Sequence, residues 1–374
     1  MYLPTVRQRQ EAPLQTHRDG AELFETKKTS NRMCAMRYLS LFSGIEAATT
    51  AWHDFDWKCV GVSEIDPFPC EVLKQRYPHV TNYGDITKIT KEQLNEMDAD
   101  VIVGGSPCQS FSTGGKREGL ADPRGRLMLE YVRVVETVRP TWFIWENVPG
   151  VLSNDGGVSF GTLLREMAKL GYHLCWRVLD AQHFGVPQRR RRVFLVGYLG
   201  ADGQRAAKVL FDPEGRSRDY TKSGHQTKKV TAADEAGTYC DVYNGLLSDV
   251  APTMTTATGM TNGSGPKVLE RCFTQSGFAS YTEAYGTLSA TDYKRPEQHI
   301  VVTEGRIRRL TPVECERLQG FPDNFTRIKW RGKTEEQCPD GHRYKALGNS
   351  MAVPVMRWIG NNIRTYDERY YLPW

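Results

Sequence analysis

The chain has 374 residues, of which 39% are hydrophobic and 25% charged, and its formal net charge is +5. No apolar run approaches the roughly 18 residues that a membrane span needs, and the polar start of the chain lacks the apolar core of a secretory signal. We therefore expect a cytoplasmic protein with no membrane partner. Nine cysteines occur without a CxxC pair or zinc-finger spacing, so we expect reduced thiols and no metal site.

Residues 1–36 are polar and aperiodic, and we predict that they form a disordered extension. Strand and helix patterns then alternate, which is typical of a parallel sheet covered by helices on both faces. The strand patterns are RYLSLFSG, KCVGVSEI, DADVIVGG and TWFIWENV, and the helix patterns include PFPCEVLKQRY, RLMLEYVRVVETV and FGTLLREMAKLG. The sequence predicts an α/β fold with a doubly wound, mostly parallel sheet.

The pattern changes after RRRVFLVGYLG. From about residue 200 to 304 the chain is rich in Gly, Thr, Ser and Asp without helical periodicity, and helical patterns return at RLTPVECERLQG and VPVMRWIGNNIR. We predict that residues 37–199 and 340–374 form the sheet domain. A smaller, loop-rich domain and a returning helical segment would occupy residues 200–339.

Unusual residues follow the predicted strands, where open α/β sheets bind their ligands. These residues are Phe42-Ser43-Gly44, Glu64-Ile65-Asp66, Pro107-Cys108-Gln109 and Glu146-Asn147-Val148. A helix cap or a turn would explain any one of them. Together, at the same edge of one sheet, they predict a pocket.

The first strand–helix turn, FSGIEA, indicates the type of cofactor. It offers only Gly44, whereas a backbone that cradles phosphates needs several glycines. We therefore predict a nucleoside cofactor without phosphates, with Glu64 on a ribose hydroxyl. Asp85, in YGDIT after the third element of the alternation, could accept a hydrogen bond from an adenine amine or simply form a turn.

Cys108 allows three interpretations: a packed thiol, a redox sensor or a nucleophile. A nucleophile needs positive surroundings, which the run QRRRRV could supply, and Glu146 could serve as its acid partner. A charged loop or a solvated sheet edge would explain the basic runs QRRRRV and GRIRRL equally well.

Several motifs together resemble one enzyme family. SPCQSFS, WENVPG, QRRRRVF and YKALGNSMAVPV resemble the ordered motif set of the DNA cytosine-5 methyltransferases, and LFSGIEA and SEID resemble that family's cofactor-binding segments. The resemblance covers about residues 37–199 and 306–362, and it leaves 200–305 as the position of a target-recognition domain. It implies a Rossmann-like class I methyltransferase that uses S-adenosylmethionine to methylate C5 of a cytosine flipped out of double-stranded DNA.

The resemblance also assigns roles to individual residues. Cys108 would add to C6 of the cytosine, Glu146 would donate a hydrogen bond at N3, and two arginines would stabilise the base carbonyl and the catalytic loop, namely Arg190 and Arg192. The implied substrate-binding residues are Pro107, Gln109, Asn147 and Gln188. The implied cofactor-binding residues are Phe42, Gly44, Ile45, Glu64, Ile65, Asp85, Asn349 and Met351. The chain departs from many relatives at Ser40 and Glu46, where they have aspartate and glycine.

A tRNA substrate is the main alternative, because one branch of the family modifies tRNA. The insertion of about a hundred residues after the arginine run favours DNA, since a major-groove reader needs such a length. An inactive DNA-binding protein and a thiol redox protein are further alternatives, which the intact Cys108, Glu146 and arginines and the lack of a nearby resolving cysteine disfavour. We expect a monomer, with a cognate restriction endonuclease as a candidate partner.

Overall fold

The computed structural model describes residues 35–107, 126–211, 310–367 and 369 in full. It describes the backbone alone for residues 123–125 and for five short strands between residues 238 and 308. Cys108, Gln109 and residues 1–34 of the predicted extension lie outside the described residues. Met36, which we placed in that extension, is buried and is the first residue of a strand.

A six-stranded sheet organises the described residues. Its strands are β1 (Met36–Leu41), β2 (Trp57–Ser63), β3 (Val101–Gly104), β4 (Trp142–Asn147), β5 (His173–Asp180) and β6 (Arg191–Tyr198). The helices are α1 (Ala47–Trp52), α2 (Pro67–Arg76), α3 (Lys91–Met97), α4 (Pro123–Val138), α5 (Val158–Lys169), α6 (Arg205–Leu210), α7 (Pro312–Gln319), α8 (Asp340–Asn349) and α9 (Val353–Tyr366). Short 3₁₀ helices lie at Ile86–Lys88, Pro149–Leu152, Asn154–Gly157, Ala181–Phe184 and Glu335–Gln337.

The strand order is β2-β1-β3-β4-β6-β5. Pairing is parallel from β2 to β4, and β6 runs antiparallel to both of its neighbours, so the other five strands share one direction. This confirms the mostly parallel sheet. Upstream of Asp85, Asn82 forms an isolated parallel bridge with Val62 of β2.

Helices cover both faces of the sheet, as predicted. On one face, α1 packs against α9, and the indole nitrogen of Trp52 donates to the carbonyl of Met356 at 2.9 Å. On the other face, α4 and α5 bury Tyr131, Val134 and Leu163 against the strands. β3 is buried along its whole length, which explains why its sequence, VIVG, is apolar throughout.

The chain returns to the sheet through α7, α8 and α9. α7 begins at a capping box formed by Thr311 and Glu314 and ends at Gly320, which has a φ of 81°. The core that contains Tyr38 and Trp52 also contains Leu310, Cys315, Leu318, Phe321 and Phe325. The predicted domain limits stay a prediction.

The second sheet consists of five short strands: β7 (Thr238–Asp241), β8 (Leu246–Ser248), β9 (Pro266–Leu269), β10 (Val301–Thr303) and β11 (Arg306–Arg308). Their order is β11-β10-β9-β7-β8. The strands β7 to β10 lie in the stretch of residues 200–305 for which the sequence predicts a separate loop-rich domain, and β11 follows directly after it. No helix in the described part of the chain has the length and apolar character that crossing a membrane requires.

Candidate active site

A cleft of about 670 Å³ opens where β1 to β4 end, at the sheet edge that the sequence predicted. The predicted site residues that line it are Phe42, Gly44, Glu64, Ile65, Asp85, Pro107, Glu146, Asn147, Arg190, Arg192 and Asn349. The residues come from both ends of the chain, because α8 and α9 return to the sheet.

Three predicted residues do not line the cleft. The side chains of Ile45 and Met351 are buried in the apolar core beside α1 and α9. Gln188 is fully buried, and neither its amide oxygen nor its amide nitrogen has a hydrogen-bond partner in the described structure. Their assigned roles stay predictions, as do those of Cys108 and Gln109, which lie outside the described residues.

The first strand–helix turn presents backbone to the cleft. Gly44 has a φ of 55°, which favours glycine, and a Cβ added there would meet no atom within 4 Å. Its N–H donates to Oε2 of Glu64 at 2.8 Å. A ligand can therefore approach the backbone here without meeting a side chain.

Glu64 is held at the end of β2 by backbone donors. Its Oε1 accepts from the N–H groups of Ile65 and Asp66 at 2.8 and 2.7 Å, in addition to the Gly44 contact at Oε2. The carboxylate oxygens keep lone pairs that can accept from a ribose hydroxyl. Ile65 follows with 71% of its surface exposed, which leaves an apolar face in the cleft.

Asp85 forms the turn that was one of its two predicted roles. Its Oδ1 accepts from Thr87 Oγ1 at 2.8 Å and from the Thr87 N–H at 3.0 Å. These hydrogen bonds, that of the hydroxyl first, hold the pKa of Asp85 below its usual value. A carboxylate fixed in this way at the cleft can still accept from an amine.

This half of the cleft suits S-adenosylmethionine. The cofactor carries ribose hydroxyls, an exocyclic amine and a flat ring but no phosphate, and the residues here are two carboxylates, an exposed apolar side chain and an open glycine. Among the residues that the structure describes, no group of three or more His, Cys, Asp or Glu side chains is arranged to hold a metal ion.

The other half of the cleft contains an ion pair. Glu146 lies near the end of β4, and its Oε1 is 3.0 Å from Nε of Arg192 on β6. The two side chains are 14% and 10% exposed. A Cβ at Gly105 would lie 2.8 Å from both the carbonyl oxygen and Oε2 of Glu146, so only glycine permits this approach. The sequence analysis missed this contact, because the pair Gly104-Gly105 at the end of β3 indicated only a turn.

Burial alternates along the arginine run: Arg190 and Arg192 are buried, whereas Arg189 and Arg191 are exposed. Arg190 donates to the carbonyl of Gly348 at 3.2 Å. Burial lowers the pKa of both buried guanidinium groups, and the charge of Glu146 acts in the opposite direction. Two cations are thus kept in a poorly solvated place beside the cleft, where a developing negative charge interacts strongly with them.

Asn147 connects the ends of β3 and β4. Its amide nitrogen donates to the carbonyl of Ser106 at 3.0 Å, and its amide oxygen accepts from the N–H of Val148 at 2.9 Å. Trp145 donates to Oγ of Ser106 at 3.1 Å. These contacts fix the backbone that leads into Pro107, the residue before Cys108.

Solved structures share this fold. The structure described as S. pombe Dnmt2 methyltransferase aligns with a TM-score of 0.58 at 18% identity, over 89% of this chain and 99% of that one. The Entamoeba histolytica methyltransferase EhMeth aligns with a TM-score of 0.56 at 19% identity, over 88% of this chain and 98% of that one. The fold is that of a class I S-adenosylmethionine-dependent methyltransferase, as predicted.

Comparison at the level of sequence is more specific. The profile of the family described as C-5 cytosine-specific DNA methylase matches residues 36–365. The chain therefore belongs to the C-5 cytosine-specific DNA methylase family. This confirms the family and the class of enzyme, DNA cytosine methyltransferase, that the motifs predicted, and it implies the use of S-adenosylmethionine.

Two relatives carry different names. The type II methyltransferase M1.ScrFI of Lactococcus lactis subsp. cremoris is 32% identical over 91% of this chain and 80% of that protein. The DNA N-6-adenine-methyltransferase of Escherichia phage P1 is 33% identical over 87% of this chain, which spans 61% of the phage protein. The name of the phage protein specifies adenine, whereas the family profile specifies cytosine.

Proposed function

We propose that this chain transfers a methyl group from S-adenosylmethionine to C5 of a cytosine flipped out of double-stranded DNA, with Cys108 as the nucleophile that adds to C6. One observation carries the proposal. A single cleft joins a half suited to a nucleoside, around Glu64, with a half that holds the buried Glu146–Arg192 pair, and Pro107 lies in the same cleft.

The proposed reaction requires the groups in the half of the cleft that holds the Glu146–Arg192 pair. C5 of cytosine is not nucleophilic until a thiolate adds to C6 and pushes electrons into the ring. That addition builds negative charge at N3 and the carbonyl oxygen. A protonated Glu146 would donate a hydrogen bond at N3, and the buried arginines would stabilise the charge on the oxygen. C5, now nucleophilic, would take the methyl group of the bound cofactor. Loss of the C5 proton to water then breaks the bond between C6 and the sulfur of Cys108, which leaves as a thiolate.

The first half of the cleft would hold the cofactor. When bound, S-adenosylmethionine supplies an electrophilic methyl group. Glu64 would accept from the ribose hydroxyls, Ile65 would pack on the adenine ring and Asp85 would accept from its amine. Asn349, at the end of α8, lines the same cleft and would close this site from the opposite side.

The substrate base must leave its stack to reach these groups. Glu146 and Arg192 are recessed in the cleft, so a base that remains paired in a duplex cannot contact them. Flipping a base costs a few kcal/mol, which contacts in such a pocket can offset. Residues 200–305 would supply the sequence-specific contacts to DNA, and tRNA stays the alternative nucleic acid.

Adenine methylation is a second candidate, which the name of the phage P1 relative favours. The exocyclic amine of adenine can attack a methyl donor without prior addition to its ring, so it needs neither a thiolate nor an acid opposite a ring nitrogen. The motif SPCQSFS and the buried Glu146–Arg192 pair fit the cytosine reaction better. The type II relatives keep a cognate restriction endonuclease as a candidate partner, and this partner and the monomeric state stay predictions.

The experiment incubates the full chain with methyl-labelled S-adenosylmethionine and double-stranded DNA or tRNA, followed by digestion to nucleosides and mass spectrometry. We expect labelled 5-methylcytosine from DNA, and no label with the Cys108→Ser variant. A duplex that contains 5-fluorocytosine should become covalently attached to the wild type, since fluorine at C5 blocks release of the thiol. Labelled N6-methyladenine, label in tRNA alone, or undiminished activity of Cys108→Ser would contradict the proposal.

A further inference from the structure

The turn between β1 and α1 has an unusual backbone. Phe42, Gly44 and Glu46 have φ angles of 52°, 55° and 65°, all in the left-handed region. Side chains other than glycine rarely adopt this region, and two of these three residues carry one. Phe42 and Gly44 both line the cleft, so the conformation of this turn shapes the cofactor half. The surrounding structure must hold it in place.

Ser43 and Gly44 hold the turn on the side of β2. The N–H of Ser43 donates to the carbonyl of Ser63 at 3.1 Å, and Gly44 donates to Glu64 as described above. These contacts involve the cleft itself. They leave the other end of the turn, at Glu46, to be held separately.

Glu46 holds that end. Its N–H donates to the carbonyl of Ser43 at 2.9 Å, and its Oε1 accepts from both the N–H and Oγ1 of Thr49 at 3.1 Å, which caps α1. Oγ1 of Thr49 lies 2.7 Å from the hydroxyl of Tyr38 on β1. A chain of hydrogen bonds therefore runs from the strand through Thr49 to the Glu46 carboxyl group.

The carboxyl group has no contact with the cleft. Glu46 is 1% exposed, and its Oε2 has no hydrogen-bond partner in the described structure. Burial raises the pKa of Glu46 from 4.5 to about 7. An interaction with the Ser40 hydroxyl on β1 and the hydrogen bonds from Thr49 oppose this rise in pKa. The titratable groups around the carboxyl are Tyr38, Cys59, Tyr77 and Glu64, none of which is a cation. A buried acid in such surroundings is costly, and the proposed reaction does not use it.

We propose that Glu46 is a positioning residue for the cofactor: by capping α1 and joining it to β1 through Thr49 and Tyr38, it keeps Phe42 and Gly44 in the conformation that lines the cleft. The inference rests on the proposed use of S-adenosylmethionine in this cleft. Glu46 touches neither the cofactor nor the base, and it acts only through the backbone of the turn.

The test measures the dissociation constants of S-adenosylmethionine and S-adenosylhomocysteine by isothermal titration calorimetry on the full chain. Glu46→Gly keeps a residue suited to the observed φ but removes the cap, and we expect it to weaken binding by about tenfold or more, which is 1.4 kcal/mol or more. Glu46→Gln keeps the acceptor for Thr49, so it should restore affinity to within about threefold of the wild type. Thermal unfolding would verify that each variant is folded.

A matched control separates positioning from general stability. Thr90 caps α3, which contributes no residue to the described lining of the cleft, so Thr90→Ala should lower stability without weakening binding. The positioning role of Glu46 would be overturned if folded Glu46→Gly bound S-adenosylmethionine as tightly as the wild type, or if Thr90→Ala and Glu46→Gly weakened that binding equally. Neither result would affect the proposed cofactor. Absence of cofactor binding by the wild type would overturn the proposed cofactor and, with it, this inference.

Discussion

Arg192 and Glu146 form a buried ion pair across β6 and β4, with Nε of the guanidinium 3.0 Å from Oε1 of the carboxylate. Neither side chain is more than 14% exposed. Removing one partner of such a pair leaves the other as an uncompensated charge in poorly solvated surroundings. The pair therefore supports the proposed reaction, and the loss of either partner should destabilise the fold.

Glu146→Gln should remove the acid but keep its shape. We expect methyl transfer to fall by about 10²-fold or more, because the amide cannot pass a proton to N3. The variant should still fold and bind DNA, with a lower free energy of unfolding because Arg192 loses its anionic partner. Single-turnover methylation and a DNA binding isotherm would measure the two effects. The control is Glu166→Gln on α5, where the carboxylate pairs with Lys169 near the surface, and it should leave methylation unchanged. Full activity of Glu146→Gln would contradict the assigned role.

Arg192→Met should lower the free energy of unfolding by about 3 to 5 kcal/mol, because it leaves the Glu146 carboxylate buried without its partner. Urea denaturation would measure the loss. The comparison is Arg165→Met, which removes a largely exposed partner of Glu166 and should change stability by less than about 1 kcal/mol. Equal effects of the two substitutions would show that the Glu146–Arg192 pair is no more important to the fold than a surface pair.

Gly105→Ala should damage the site more than the fold. Its Cβ would meet the carbonyl oxygen and Oε2 of Glu146 at 2.8 Å, so the carboxylate must move. We expect a loss of stability of about 1 to 3 kcal/mol and a fall in methylation that exceeds this change. Gly161→Ala in α5 meets no atom within 4 Å and should instead stabilise the protein by up to about 1 kcal/mol. Undiminished methylation by Gly105→Ala would contradict the need for this close approach.

Glu46 should make stability depend on pH. Because its pKa is raised from 4.5 to about 7 in the folded protein, the folded state binds the proton more tightly than the unfolded state. The stabilisation is full below about pH 4.5 and is lost as the pH rises through about 7, a change of about 3 kcal/mol. Chemical denaturation of the wild type and Glu46→Gln between these values would measure it.

Glu46→Gln should remove that decline, because an amide does not titrate. Glu166→Gln should not remove it, since Lys169 and Arg165 hold the pKa of Glu166 below its usual value and the group lies near the surface. A decline of the same size in wild type and Glu46→Gln would show that another group is responsible.

The strand ends were predictable because their patterns are local. A buried apolar run followed by Glu64 or Glu146 needs no knowledge of distant residues, and both residues line the cleft as expected. Family motifs were less informative about side chains. Ile45 and Met351 belong to matching motifs, yet their side chains pack in the core, since a motif does not distinguish backbone contacts from side-chain contacts.

Long-range pairing was the part that the sequence could not predict. The approach of Arg192 to Glu146 depends on β6 lying between β4 and β5, and the sequence patterns did not identify β5 at all. The close approach of Gly105 to Glu146 depends on the same tertiary arrangement, because a glycine pair alone indicates a turn. The cap that Glu46 forms depends on the left-handed backbone of the turn, which the sequence pattern does not indicate.

The direction of β6 determines which end of the strand lies at the cleft. β6 has eight residues and is about 26 Å long. If β6 ran parallel to its neighbours, its first residues would lie at the opposite edge of the sheet, about one strand length from the Glu146 carboxylate. Because β6 is antiparallel, its first residues and the segment just before it lie at the cleft. Arg190 and Arg192 can therefore take part in the reaction, whereas the last residues of the strand cannot. Substitutions at the other end of β6, at Gly197 and Tyr198, would change the packing of the core but not the cleft.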